Sequence, residues 1–226
     1  DLIITNGILA SFQVSEQENQ NYSLSFDGED DYILMEDFQI SEPYLYDATI
    51  ELWFKSNIDP GSFSDEGFQG SHLVKKSGLY EEMDLRLFED SLGFEWESNI
   101  FGIQEGEHFL PGAYNDAGWH HYAVQITNDT LSIYFDGVNV HEEVVSEESP
   151  NFFDFSGPFN NLLIGTNSDQ QSSFFKGLIS EMKISSVAQY TENFNPDSLV
   201  ADESTVSLWK FNTNSSRPQI TTLIYL

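Results

Sequence analysis

The sequence predicts an all-β fold in which two antiparallel sheets pack as a sandwich. Three observations carry this. Apolar residues recur with period two over short runs, turn dipeptides punctuate the runs, and the spacing between runs is too short for crossover helices. Residues 22–26 (YSLSF) alternate, Asp27-Gly28 turns the chain, and 31–35 (DYILM) alternates again, a hairpin signature. Residues 48–55 (ATIELWFK) place Ile50 and Leu52 on one face. Two runs, 83–88 and 92–97, flank a turn at Glu89-Asp90-Ser91. Residues 119–126 (WHHYAVQI) and 131–135 (LSIYF) flank Asn128-Asp129, and Asp136-Gly137 leads into 138–144. Further strands read at 161–165, 174–184 and 205–211, with a single helical turn at Val187 to Tyr190. The expected core is Phe26, Ile50, Leu52, Trp119, Ile133, Ile164, Ile179 and Leu208.

No repeat and no Pro-, Gly- or Ser-rich linker divides the chain, so residues 1–226 read as one domain. The ends, 1–16 and 213–226, carry apolar stretches (LIIT, TTLIYL) that either pair as edge strands or lead into neighbouring domains. The chain begins Asp-Leu-Ile-Ile, without Met or a basic segment, and reads as a piece of something longer. Three stretches, 57–70, 98–118 and 146–160, read as long loops rich in Phe.

Composition narrows the partners. Eight Lys and Arg against 38 Asp and Glu give a formal charge of -30. Phosphate recognition needs clustered cations, so nucleic acid is excluded as a partner, and an anionic membrane surface for the same reason. No apolar run reaches the ~20 residues that span a bilayer, so no membrane insertion is expected. The chain contains no Cys, hence no disulfide framework. Aromatic residues make up 15% of it, which is a folding composition despite the charge.

Three segments together resemble the laminin-G-like, concanavalin-A-like jelly-roll family of lectins and glucanases. They are YSLSFDGEDDYILM (22–35) followed by ATIELWFK (48–55); GWHHYAVQITNDTLSIYFDGVNV (118–140); and FFKGLISEMKISSVAQYTENFNP (174–196) followed by LWKF (208–211). The resemblance implies a two-sheet jelly roll with one concave sheet. It also implies a secreted or cell-surface location, glycan or cell-surface protein as partner, and commonly a calcium ion. The fold hosts many functions, so it does not choose among them.

Candidate sites follow from the residue types. Asp27, Glu29, Asp30 and Asp31 place four acids in five positions, a donor set suited to Ca²⁺, which takes 6 to 8 oxygens. Glu181, in the family-like Gly-Leu-Ile-Ser-Glu strand, is a further candidate ligand from across the sheet, against the alternative of a surface acid. His120 and His121 are adjacent on a strand and therefore face opposite sides, so they cannot share one metal. Tyr114, Asn115 and Asp116 combine an aromatic ring with polar groups, and Asn167, Asp169 and Gln170 lie in a polar loop. Both sets suit a saccharide, which stacks its C–H faces on rings and bonds through its hydroxyls.

A glycosidase needs two carboxyls held across a cleft. Glu82 and Asp84 alternate, as do Glu95 and Glu97, but Leu87 stands where the related glucanases carry a third acid. No complete catalytic set is legible, and the sequence reads as a non-enzyme. The expectation is a recognition or adhesion module, with glycan leading, calcium bound, and the whole forming part of a larger multidomain or assembled protein. Two alternatives stand beside it: a structural domain of a surface filament, large adhesin or phage tail, and a β-glucan hydrolase. Sequons at Asn21, Asn128 and Asn214 matter only in a eukaryotic secretory pathway.

Overall fold

The computed structural model describes residues 2–4, 8–10, 13–16, 22–36, 38, 47–57, 70–77, 81–88, 91–98, 104–112, 114, 116–127, 129–145, 161–167, 173–211 and 221–224. Among them lie seventeen strands. These are β1 (Leu2–Ile4), β2 (Ile8–Ala10), β3 (Gln13–Glu16), β4 (Tyr22–Asp27), β5 (Ile33–Met35), β6 (Ala48–Ser56), β7 (Ser71–Ser77), β8 (Glu81–Leu87) and β9 (Ser91–Ser98). They continue with β10 (Gln104–Pro111), β11 (His120–Thr127), β12 (Thr130–Phe135), β13 (Val138–Val144), β14 (Asn161–Ile164), β15 (Lys176–Ser185), β16 (Thr205–Lys210) and β17 (Thr221–Ile224).

Two large antiparallel sheets form the sandwich. The six-stranded sheet runs β10-β9-β8-β7-β14-β5. The nine-stranded sheet runs β13-β12-β11-β6-β15-β16-β17, with β4 beside the first half of β15 and β3 beside β4. Strands β1 and β2 make a separate two-stranded sheet. Both ends of the chain thus contribute strands, β3 and β17, to the larger sheet.

Alternation places one side chain in two between the sheets. In the larger sheet Ile50, Leu52 and Phe54 stand level with Val124, Tyr122 and His120 across the β6–β11 ladder. In the smaller sheet Leu85 stands level with Val74 and Phe94. These inner faces meet in one apolar cluster. At ~25 cal/mol per Å² of apolar surface, burial on this scale is the main favourable term of folding.

Several expectations are corrected. Trp119 is half-buried, not in the core, because His120 takes the inward phase and lies stacked on Phe135 at 4.9 Å. Trp119 and His121 therefore belong to the outward phase, and the expectation of one histidine inside and one outside holds. Leu208 is buried, but on the outer face opposite Lys183, while its neighbour Trp209 joins the core. Val187 to Tyr190 form a bend and irregular chain, not a helical turn. Their backbone groups bond to the sheet's side chains instead: Thr49 Oγ1 donates to Val187 O, and Tyr190 N donates to Gln125 Oε1. The expected loop at 98–118 contains β10, whose pairing with β9 overrides a sequence holding Gly106 and Pro111. Strand β7 shows no clean alternation in sequence, because a bulge between His72 and Val74 breaks the period of two. The stretches 58–69 and 146–160 lie outside the described residues.

Candidate functional site

The outer face of the larger sheet is covered by the chain itself. Residues 186–204 cross β6 and β11, reach the β12–β13 turn, and return. Phe194 N donates to Gly137 O (2.8 Å), and Trp53 Nε1 donates to Asp197 O (3.1 Å) on the way back. Beneath this strap Glu51 and His121 are each 1% exposed. The Glu51 carboxylate accepts from His121 Nε2 (3.1 Å) and from the Tyr190 hydroxyl, with Lys183 Nζ at 3.9 Å. Lys183 also pairs with Asp202 of the strap at 2.9 Å.

The outer face of the smaller sheet is of another kind. Alternation along β8 directs Asp84 and Arg86 outward, and the register sets Lys75 and Glu95 beside Asp84 and His72 beside Arg86. His72 Nδ1 lies 2.8 Å from Asp84 Oδ1, and both residues are buried. A carboxylate only accepts, so Nδ1 carries the proton. Lys75 Nζ lies 3.5 Å from Asp84 and 3.0 Å from Glu82, and Arg86 pairs with Glu95. The Arg86 guanidinium also sits 4.5 Å over the Phe88 ring. Phe88 and Phe109 meet edge to face at 4.6 Å above Gly93, where any Cβ would collide with both rings. The rim remains open, with the Glu82 and Glu95 side chains 42% and 25% exposed.

The charges on this face are held ionised. Burial pushes the Asp84 carboxyl up, but the hydrogen bond and charge of His72, with Lys75 and Arg86, outweigh it and hold the group below the usual carboxylate range. Burial pulls Lys75 down, yet Asp84 and Glu82 raise it above its ordinary value. Burial lowers Arg86 against the pull of Asp84 and Glu107. Two buried atoms on this face make no hydrogen bond: His72 Nε2, and Nε of Arg86, whose terminal nitrogen pairs with Glu95. His121 Nδ1 is also without one, but the rings of Trp53 and Phe194 enclose it at 5.4 and 5.6 Å.

The expected sites are placed as follows. Asp27, Asp30 and Asp31 come together in the β4–β5 connection, which is not the expected hairpin: β4 pairs with β3 and β15 in the larger sheet and β5 with β14 in the smaller, so this turn carries the chain from one sheet to the other. Two oxygens sharing one Ca²⁺ at ~2.4 Å stand no more than ~4.8 Å apart. One carboxylate oxygen from each of the three lies within 4.8 Å of the others, so the donor set fits the ion. Asp27 Oδ1 also accepts from the amides of Glu29 and Asp30 (2.8 and 3.4 Å), which fixes the loop, and Gly28 supplies its positive φ of 83°. Glu181 is not brought to this cluster. Lys176 stands opposite Asp27, and five residues at ~3.3 Å each carry Glu181 about 16 Å further along β15. There it accepts from Ser198 Oγ (2.7 Å) and Leu199 N (2.5 Å), tying down the strap.

Tyr114 is 1% exposed and its hydroxyl donates to Phe88 O, so it belongs to the core and presents nothing to a ligand. Asp116 is exposed, but its carboxylate accepts from Gly118 N (2.6 Å) and contacts His120 Nε2 (3.0 Å). The Gly118 amide first, then His120, hold its pKa down. Asn167 is half-buried just after β14. Asn115, Asp169, Gln170, the three sequon asparagines and the Glu97 side chain lie outside the described residues.

The two-sheet sandwich and the β8–β9, β11–β12 and β12–β13 hairpins match what the sequence implied. A family model described as the concanavalin A-like lectin/glucanases superfamily, of laminin-G type, matches residues 27–193, well over half of the chain. The chain belongs to that superfamily. Solved structures share this superfamily fold at low identity. One is the carbohydrate-binding module CBM40 of the Ruminococcus gnavus IT-sialidase, bound to α2,3-sialyllactose. Its TM-score is 0.50 at 15% identity, covering 66% of this chain and 80% of that one. Another is domain 4 of AbnA, an extracellular arabinanase of Geobacillus stearothermophilus, in complex with arabinotriose. Its TM-score is 0.52 at 16% identity, covering 77% and 74%. A third is tailspike protein 2 of an Escherichia coli O157:H7 bacteriophage, with TM-score 0.54 and 9% identity, covering 79% of this chain and 25% of that one. No curated protein matches the sequence.

Proposed function

We propose that this superfamily member is a non-catalytic recognition module of an extracellular protein, and that it binds glycan on the outer face of the six-stranded sheet. The observation that carries the reading is the paired-charge floor of His72, Lys75, Asp84 and Arg86 beside the Phe88–Phe109 wall. Fixed donors and acceptors next to an aromatic surface suit a polyhydroxylated ring, which offers both hydroxyls and apolar C–H faces. Two structures of similar fold hold sialyllactose and arabinotriose, which supports the class of ligand.

The same geometry argues against hydrolysis. A glycosidase acid is a carboxyl kept protonated near neutral pH. Asp84 is held in the opposite direction, and Lys75 bridges it to Glu82.

The reading includes a calcium ion at Asp27, Asp30 and Asp31. Bound there, the ion supplies positive charge that relieves carboxylate repulsion in a chain of charge -30 and pins the β4–β5 turn.

An immobilised glycan array tests the function, with reducing-sugar release from β-glucans run in parallel. Retained glycan without sugar release is the expected result. Sugar release would favour the hydrolase. The tailspike likeness favours a second reading, a structural domain of a surface filament, adhesin or phage tail. A silent array together with ordered self-assembly would favour that reading.

A further inference from the structure

Among the described residues, the strap over the nine-stranded sheet stops short of one end. Along β6 and β15 its bonds reach no further than Trp53 and Glu181, which stand opposite each other. Beyond them lie Lys55, opposite Leu178, and Lys176, two residues further along β15. The β6–β11 register ends at His120 opposite Phe54, and one more step sets Trp119 level with Lys55. Trp53, Lys55, Trp119 and Leu178 are half-buried, and Lys176 is exposed.

Cations are scarce in this chain, eight against 38 acids. Lys75, Arg86, Lys183 and Lys210 each lie against a carboxylate. Lys55 and Lys176 form no ion pair among the described residues. The carboxylates that the register brings to this end are occupied. Asp27, opposite Lys176, accepts from the amides of Glu29 and Asp30. Glu181 accepts from Ser198 and Leu199 and faces Lys210 at 3.5 Å. The stem of Lys176 rests on Gly28, where a Cβ would come within 2.9 Å of it. Diagonal neighbours on adjacent strands stand ~7–8 Å apart. That is within the ~8 Å screening length of physiological salt, so the two ammonium groups repel, and an oxyanion between them offsets the repulsion. The same screening weakens the pull of the chain's more distant acids.

We infer that this end of the nine-stranded sheet is a second binding site, for an anionic saccharide. Lys55 and Lys176 hold its carboxylate or sulfate oxygens, while Trp119 and Leu178 offer an apolar surface to its C–H faces. The inference rests on the glycan reading for its class of ligand and places that ligand on the opposite sheet.

The test compares matched probes on the full chain, in chelator so that no divalent ion bridges them: dextran sulfate against dextran, and polygalacturonate against galactan. The acidic members should be retained more strongly, and less so as NaCl rises. Lys55→Gln and Lys176→Gln should each weaken acidic retention about tenfold, the effect of one charge-assisted contact. Trp119→Ala should weaken it as well. Lys210→Gln, which removes the same charge elsewhere, should leave it unchanged. Polyglutamate, an anion without sugar rings, should be held more weakly than polygalacturonate. Equal retention of acidic and neutral members would overturn the inference, as would acidic retention that survives the Lys55→Gln, Lys176→Gln double variant. Equal retention of polyglutamate would overturn its saccharide part. Silent acidic probes beside retained neutral ones would overturn it and leave the glycan reading of the six-stranded face intact. Retained acidic probes beside a wholly silent neutral set would uphold this site and overturn that reading.

Discussion

The two outer faces of this sandwich carry similar residues to different ends. Each holds a buried histidine against a buried carboxylate, His121 with Glu51 on the larger sheet and His72 with Asp84 on the smaller, and each adds a lysine. On the larger sheet residues 186–204 lie over the pair, stack Tyr190 on Phe194 at 3.7 Å, and donate the Tyr190 hydroxyl to Glu51. On the smaller sheet the network runs outward to partly exposed glutamates, and each face leaves one imidazole nitrogen without a hydrogen bond, Nδ1 of His121 and Nε2 of His72. Identical chemistry can therefore be a fastening in one place and a candidate ligand seat in another. What differs, among the described residues, is whether a crossing segment of the chain lies over it.

The largest expected effect breaks the fastening. Glu51→Ala leaves His121, Tyr190 and Lys183 facing a buried gap, and removing one partner of a buried pair costs about 3–5 kcal/mol. Urea unfolding should show that loss, while glycan retention per folded molecule stays unchanged. A loss below about 1 kcal/mol, the range of exposed pairs, would mean the strap holds without its charges.

Next in size is calcium. An ion that binds the folded state alone adds about 2.7 kcal/mol at a hundred times its dissociation constant. Chelator should lower the melting temperature, and Ca²⁺ should restore it further than NaCl of equal ionic strength. Asp27→Asn with Asp30→Asn should erase the calcium-specific part and leave the salt-general part. Equal melting in chelator and in calcium at matched ionic strength would return these acids to a solvated surface.

On the smaller sheet the order of effects reverses. Arg86→Ala should cost about 1 kcal/mol of stability, as partly exposed ion pairs do. It should weaken glycan retention about tenfold, the effect of one contact worth roughly 1.4 kcal/mol. A variant that loses stability but keeps full affinity would make this face structural as well.

The smallest effect lies at the seam between the sheets. His108 on β10 stacks on His141 on β13 with ring centroids 3.7 Å apart, and Glu143 stands 3.6 Å from His141. Burial first, then His141, depress His108 below its ordinary value, against the pull of Glu143. The unfolded chain therefore takes up a proton below pH ~6.5 that the folded chain resists. Stability from this group is complete above that pH and declines as pH falls toward the folded value. Thermal melts across that window should show the decline, and His108→Phe, which keeps a ring at the seam, should flatten it.

Alternation in YSLSF, ATIELWF and LSIYF was enough to determine an all-β chain, most of its strands and the inward phase of Ile50, Leu52 and Ile133, because a strand's side-chain period is a local property of the backbone. The acidic cluster was legible because its three aspartates are neighbours in sequence, but the turn that holds them joins the two sheets and not the strands of a hairpin, which local alternation does not reveal. Other features needed the folded molecule. The bulge between His72 and Val74 breaks the period-two count, so no alternation reading puts His72 and Lys75 on one face. Tyr114 reads as a loop residue until Phe88, from a different hairpin, supplies the carbonyl that buries its hydroxyl. Glu181 reads as a cation ligand until the returning strap gives it Ser198 and Leu199. Each depends on contacts between residues far apart in the chain. Pairing energy and steric fit across the sheets choose those contacts, and local sequence carries no record of them.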